Sequence, residues 1–436
     1  MTDAAGVLAD VVEEHLDEAE FLFGQWSDGA RSPRFSLADV RKTIEPRLAA
    51  HLDGLIVGEK AVADTLLWPA LGDDAESPAR VAAAALALLA EPGAAVRDRL
   101  IETFRTTPAA PVREGLARAF KVSARDDLGE PLRLAVYATE DAAAQAALLG
   151  VLAARRVDAG PILNALLQRT EPDLLAAALA CAAASDRARL RQPVEARLAH
   201  PEASVRAAAL RTAMIWNLQA GWRACATEAR AGAPQAMVLL AMLGGPRDLP
   251  LLVDALRSTE HRKNALFALG CSGQVEAVDA CLPFLADADA PTAKLAFEAI
   301  AAITGVALFD EPFVAPAPAE PPADAPLPPL EEDLATDLTP AAHDELPLPN
   351  AAEVRKWWTS KRGSMAANQR YLRGMIVSAP SVQLALAEGP LRRTGPLALE
   401  IAIRSGGRTQ LAALRIGQNA PVLPPDLAMH RAPGWV

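Results

Sequence analysis

Two histidines raise the question of chemistry first. His15 stands in EEHLDEAE, with Glu14 beside it and Glu18 three residues on. His51 stands in AHLDG, two residues before Asp53. An imidazole and a carboxylate at i, i+3 or i+4 on a helix can offer a metal two ligands, whereas a structural zinc site takes four that converge. Neither string holds a third ligand within sequence reach. Both are therefore read as structural: His15 bridging the first helix to the next, and His51 at a helix C-terminus facing the dipole, with Asp53 in the turn. No metal and no cofactor is expected.

A second group lies near the C-terminus: Trp357 and Trp358, followed by Arg370, Tyr371 and Arg373. Neighbours on an α-helix point about 100° apart, so an adjacent Trp pair is rarely buried in one core. One ring is expected to pack within the chain, the other to stack on an arginine or meet a partner. Trp, Tyr and Arg are also the side chains that dominate interface energies. These five are the candidate partner-binding residues. The alternative reading is that they anchor the tail of the chain to itself.

Catalytic signatures are missing. The sequence has no P-loop, no GxGxxG after a strand, no GxSxG, no HExxH and no zinc spacing. The four cysteines, Cys181, Cys225, Cys271 and Cys281, form no CxxC pair and are read as reduced thiols filling core gaps. No enzymatic activity is expected.

The elements that must position these residues are helical. Hydrophobic residues make up 51% of the 436, yet aromatics only 4%, so Ala and Leu carry the apolar fraction, as suits close-packed helices. No run of apolar residues is long enough to span a membrane. The N-terminal stretch has no signal-peptide pattern, and a soluble cytoplasmic protein is expected. Through the middle, one pattern recurs about every 30 residues, the period of stacked helical hairpins. ESPARVAAAALALLA, PAAPVREGLARAF, TEDAAAQAALLGVLA and TEPDLLAAALACAAA are its first four copies; HPEASVRAAALRTA, GAPQAMVLLAMLGG, TEHRKNALFALGCSG and ADAPTAKLAFEAIAAITG are the next four. A reference apolar position falls at Leu86, Leu116, Leu148, Leu179, Leu210, Leu240, Phe267 and Ala299. A lone hairpin cannot bury both faces, so each next copy covers the last.

The ends differ from the repeats. Residues 4–24 read as an amphipathic helix. Ser36 caps a second helix running through residue 55, with Asp39 closing a capping box. GEKAVADTLLWPAL makes a third helix, stopped by Pro69 and Gly72. Residues 310–350 hold ten acids, no Lys or Arg, and many prolines, the composition of an extended spacer. Residues 351–436 hold twelve Lys and Arg against four acids, whereas residues 1–309 are net acidic. The basic tail is thus expected to dock on an acidic surface, including the chain's own repeats. Asn350 should cap a helix through the Trp pair. Two short helices should follow, with LALEIAIR open between helix and strand. The expected division is a helical cap over 1–75, repeats over 76–309, the acidic linker over 310–350 and the basic tail over 351–436.

The string HRKNALFALGCSGQVEAVDACLPFLADADAPTAKLAFEAIAAITG resembles tandem HEAT-like repeats of the type shared with phycobilisome lyases. Ala265, Leu266, Ala268, Leu269, Gly270, Gly273, Leu282 and Leu285 carry the likeness. In that pattern the glycines turn the chain between helices. Pro201, Val205, Arg206, Ala208 and Leu210 supply its other hallmark, and Pro111, Val112, Arg113 and Leu116 repeat it less completely. The openings EEHLDEAEFLF, SLADV and RLAAHLDGL, with the closing strings VRKWW, RYLRG and LAEGPLRRTGPLALEIAIR, resemble a bacterial family of HEAT-repeat proteins. Members of that family are often encoded near type VI secretion genes. The resemblance implies an all-α fold: an α-solenoid of about eight HEAT-like hairpins with a helical cap and a small, mostly helical C-terminal domain. It also implies a non-catalytic scaffold or adaptor whose partner is another protein, such as a secretion effector or secretion component. Two alternatives stay open. Arg97, Arg99, Arg105, Arg187, Arg189, Arg191, Arg197, Arg223, Arg230 and Arg257 on second helices could line a groove for nucleic acid, as in HEAT-like DNA glycosylases. The interleaved Asp98, Glu102, Glu195 and Glu228 and the net acidity of the repeats oppose phosphate binding. A lyase-type enzyme would instead need a deep apolar pocket with convergent polar groups.

Overall fold

The computed structural model describes residues 9–316, 341–424, 427 and 429. The first helix is Ala9–Gly29, so its expected start at residues 4–8 lies outside the described residues. It buries Leu16, Ala19, Leu22, Phe23 and Trp26 on one face. Ser36 caps the next helix as expected: its hydroxyl accepts from the Asp39 N–H at 3.1 Å, and the Asp39 carboxylate accepts from the Ser36 N–H at 2.9 Å. That helix does not run through residue 55, however. It ends at Thr43, and a new helix, Glu45–Val57, begins. Pro46 is the cause. It has no N–H to donate, and its ring would strike the carbonyl four residues back, so it is tolerated only in a first turn. The third element is a helical turn at Glu59–Val62 that widens into a π-helical stretch, Ala63–Leu67, and closes as a 3-10 turn, Pro69–Leu71.

The repeats follow as helical hairpins of an all-α solenoid. The first helices are Pro78–Leu89, Ala110–Val122, Ala142–Arg155, Pro172–Ala182, Ala203–Ile215, Pro234–Leu243, Arg262–Ser272 and Ala290–Thr304. Many start on a proline in the first turn, where no N–H is needed, and Ser77, Asp141 and Asp289 add side-chain caps. Seven of the eight are followed by a second helix; Ala290–Thr304 is followed, among the described residues, only by the 3-10 turn Glu311–Phe313. The reason for the Ala-Leu composition is visible in Pro78–Leu89, where every residue from Val81 to Leu89 is buried. A helix covered all round must present small side chains so that its neighbours can approach. Of the reference positions, Phe267 is only half-buried, and its neighbour Leu266 faces the core instead. One residue is a rotation of about 100°, enough to move a side chain off the core face. Gly270 also departs from expectation: it lies inside the helix Arg262–Ser272, and Gly273 alone makes the turn.

The chain divides into two compact units. One contains residues 1–31, 35–228 and 378–436, the other 32–34 and 229–377. In the first, Ala9–Gly29 packs on Glu45–Val57 and on Pro78–Leu89, and the first helices then stack in order from Pro78–Leu89 to Ala203–Ile215. In the second, Pro234–Leu243, Arg262–Ser272 and Ala290–Thr304 stack in the same way.

Residues 317–340 of the acidic linker lie outside the described residues. Its described ends are joined to one another. Val314 and Pro349 form an antiparallel bridge, Ala315 donates its N–H to the Leu348 carbonyl at 2.8 Å, and Asn350 donates to Phe313 at 2.7 Å. The tail therefore starts where the repeat ended, and the linker is not what carries it to its seat. Asn350 caps Ala351–Lys361, and Leu399, Ile401 and Ile403 of LALEIAIR are buried in a helix, Thr394–Arg404, not a strand. Helical spacing wins there because this segment packs on the helix Ala203–Ile215 rather than pairing with an edge.

Candidate functional site

In the second unit, the five tail residues singled out by type pack on the repeats or the turn that follows them, three of them at the ends of repeat helices. Trp358 is buried and donates its indole N–H to Asp279 of the helix Val275–Cys281 at 2.8 Å. Arg362 donates to the same carboxylate at 3.0 Å. Trp357 is half-buried, its ring edge-on to Phe313 with centroids 6.1 Å apart. Arg370 donates from Nε to the Ser272 carbonyl at 2.8 Å, and the Tyr371 N–H donates to Gly273 at 2.7 Å. Arg373 and Gly374 donate their N–H groups to Ala302 and Ile303, each at 2.8 Å. These two residues form the turn of a short hairpin in which Tyr371–Leu372 pairs with Met375–Ile376. With φ of +51° and +81° the turn matches the primed type that suits a two-residue hairpin loop. The last carbonyls of a helix lack intrahelical partners. Arg370, Tyr371 and Arg373 supply them, through main chain as much as side chain.

The first unit repeats this arrangement along a longer path. After Thr394–Arg404 the chain runs extended as a strap. The Gln410 amide donates to the Ala183 carbonyl at 2.7 Å, the Ala413 N–H to Ala154 at 2.9 Å and the Ile416 N–H to Val122 at 3.1 Å. Arg156 returns a bond to the Leu411 carbonyl at 2.9 Å. The strap thus meets the ends of three consecutive first helices at three-residue intervals. Three extended residues reach about 10 Å, and stacked helices lie about 8–10 Å apart, so the two periods match. Beyond them Gly417 donates to Glu45 at 3.1 Å, and Asn419 accepts from Arg41 at 2.7 Å. Sequence reading looked for a charge-driven docking. What holds the strap on this unit is mainly hydrogen bonding to helix ends, two of the bonds backbone to backbone, and Arg415 adds an ion pair with Asp126 at 3.0 Å.

The arginines of the second helices are largely committed within the chain. Arg105 pairs with Glu102 at 2.5 Å and donates to the Ala138 carbonyl in the next hairpin at 3.1 Å. Arg189 reaches the Gly160 carbonyl, Arg197 the Leu167 carbonyl, and Arg191 pairs with Glu195. Arg97 pairs with Asp98 and Asp127. A hydrogen bond from Arg125 and a second from Arg97 hold the Asp127 carboxyl well below the usual carboxylate range. Burial and the nearby Arg211 bring the Arg156 guanidinium down to about 10, so it keeps its charge at neutral pH. Burial pushes the Cys181 thiol up to about 12, which leaves it protonated and a poor nucleophile.

Most of what the second helices of the first unit leave exposed is polar or charged, but two large side chains stand out. Leu134 is 57% exposed and Tyr137, one turn further on Gly129–Tyr137, is 47% exposed. The Tyr137 hydroxyl accepts from the Ile162 N–H at 3.2 Å, which fixes the ring against the following hairpin. On Ala94–Thr106 the Arg99 guanidinium lies 3.6 Å from the centroid of the Trp68 ring, a cation–π contact. Nothing in residue type distinguished Leu134 and Tyr137; solvent exposure in the fold does.

The remaining motifs fall elsewhere. His15 and His51 meet across the first unit's leading helices, with 3.1 Å between their Nδ1 atoms. No group of three or more His, Cys, Asp or Glu side chains converges among the described residues. No described helix is long and apolar enough to cross a membrane.

No family model and no curated protein matches the chain. Three chains of solved structures match. One belongs to the complex of CpcE and CpcF of phycocyanin lyase from Nostoc sp. PCC7120, with 21% identity, 62% of this chain and 86% of that chain covered, and a TM-score of 0.20. The assignment to an all-α solenoid of HEAT-like hairpins rests on the helix packing described above.

Proposed function

We propose that this protein is a non-catalytic scaffold that binds another protein through the second-helix surface of its first unit. The observation that carries the reading is the exposed pair Leu134 and Tyr137, the latter held rigid by Ile162. Large side chains fixed before binding lose little entropy on association, and Tyr, Trp and Arg recur among interface hot spots. The neighbouring charges Glu102–Arg105 and Glu130–Arg133 are paired, so they suit a polar rim better than a phosphate track. A role beside type VI secretion effectors rests on the resemblance of the chain ends alone.

The test is chemical cross-linking and co-purification from the native organism, comparing wild type with Leu134→Asp and Tyr137→Ser. A partner recovered with wild type and lost with both variants, at unchanged melting temperature, supports the reading. Equal recovery with the variants overturns this surface. Binding to duplex DNA that falls steeply with salt would favour the nucleic-acid alternative.

A further inference from the structure

The sequence places His15 and His51 36 residues apart, each without a third ligand nearby. The fold brings them together. Ala9–Gly29 packs against Glu45–Val57, and the two imidazoles meet edge to face with centroids 5.2 Å apart and Nδ1 atoms 3.1 Å apart. Room for this contact comes from Gly54, where a Cβ would lie 2.7 Å from the His15 ring. Both rings are half-buried, so solvent reaches them.

In the metal-free protein one Nδ1 must carry a proton and donate it to the other. The same separation fits two ligands on one cation. With metal–nitrogen bonds of about 2.0–2.1 Å, atoms 3.1 Å apart subtend about 95–102° at the metal. That lies between the right angle of an octahedral site and the tetrahedral angle. We propose that His15 and His51 are the protein half of a binding site for a late first-row divalent cation such as Zn2+ or Cu2+, with water in the open positions. Imidazole suits these ions, and their place in the affinity order favours them over Mn2+ or Fe2+. Binding needs both Nδ1 lone pairs, so the donating ring moves its proton to Nε2. Protons compete with the cation for the same nitrogen lone pairs, so binding weakens on acidification.

The experiment is calorimetric titration of the tag-free full chain with ZnCl2, for wild type, His15→Asn, His51→Asn and the control His200→Asn. One equivalent should bind to wild type and the control, and roughly 10- to 100-fold more weakly to either cap variant. Cu2+ bound to wild type should show nitrogen hyperfine coupling in its electron paramagnetic resonance spectrum. Circular dichroism without metal checks that each variant folds. Should a substitution unfold the cap, long-range proton–nitrogen spectra of wild-type imidazoles decide the matter, since Zn2+ must shift two histidine Nδ1 resonances. No binding, binding indifferent to both cap substitutions, or an imidazole spectrum unmoved by Zn2+ would overturn the proposal.

Discussion

Glu45 and Gly417 are 372 residues apart, yet the Gly417 N–H donates to Glu45 Oε2 at 3.1 Å. The other oxygen of the same buried carboxylate accepts the Trp26 indole N–H at 3.1 Å. One side chain thus ties the helix Ala9–Gly29, the helix Glu45–Val57 and the end of the strap. Glu45→Gln keeps the shape but replaces one acceptor with a donor, leaving a buried N–H unsatisfied. The expected loss is about 1–3 kcal/mol of stability, read by urea unfolding. An unchanged midpoint would show that the carboxylate does not secure the strap.

Removing residues 405–436 should uncover the carbonyl ends of three first helices. Each lost bond is worth about 0.5–1.5 kcal/mol net. Amide exchange should quicken at the C-terminal turns of Ala110–Val122, Ala142–Arg155 and Pro172–Ala182, and stay unchanged at their N-terminal turns. Uniform acceleration would mean that the strap supports the whole unit rather than its edge.

Gly305 ends the helix Ala290–Thr304 with φ +75°, and a Cβ there would lie 2.5 Å from the Arg373 carbonyl oxygen. Gly305→Ala meets backbone on one side and left-handed strain on the other. A destabilisation of about 1–3 kcal/mol is expected, with the hairpin at Arg373 displaced. Wild-type stability in thermal unfolding would contradict the close approach.

Asp127 has its carboxyl lowered in the folded state, chiefly by the Arg125 hydrogen bond. A depressed folded value gives stability that is present above the unfolded Asp range, about 3.9. It is lost as pH falls through the folded value. Asp127→Asn should therefore destabilise the protein at neutral pH and narrow its difference from wild type on acidification below about pH 4. The carboxylate is half-exposed, so the effect should be modest and shrink in high salt. Parallel pH profiles for the two proteins would sink the assignment.

The local signals proved legible where chemistry acts over a few residues. The Ser36–Asp39 capping box, the Asn350 cap and the prolines that open repeat helices depend only on which N–H groups a neighbouring side chain can satisfy or omit. The Ala-Leu period likewise marked the helices that stack, because burial on all sides selects small apolar residues in the sequence itself. Pro46 carried its signal too; the break it causes is a steric consequence of one ring.

Other features had no local trace. His15 and His51 each lacked a partner in sequence reach, and only the packing of their helices sets 3.1 Å between them. Trp357, Trp358, Arg370, Tyr371 and Arg373 were marked by type, but type cannot tell an anchor from an exposed contact. Tertiary structure seats Trp358 on Asp279 and sets Arg370, Tyr371 and Arg373 against helix-end carbonyls. The strap was the least legible element. Its Ala413 and Ile416 bonds use backbone donors that every residue carries, and its Gln410 and Arg415 side chains find partners distant in sequence, so residue identity holds little record of where they land. The chain by itself determined helices and their stacking, since those follow from side chains a few residues apart. The joining of distant backbone donors to helix ends was decided by the stacked array, which creates both the unmet carbonyls and the spacing at which a strap can meet them.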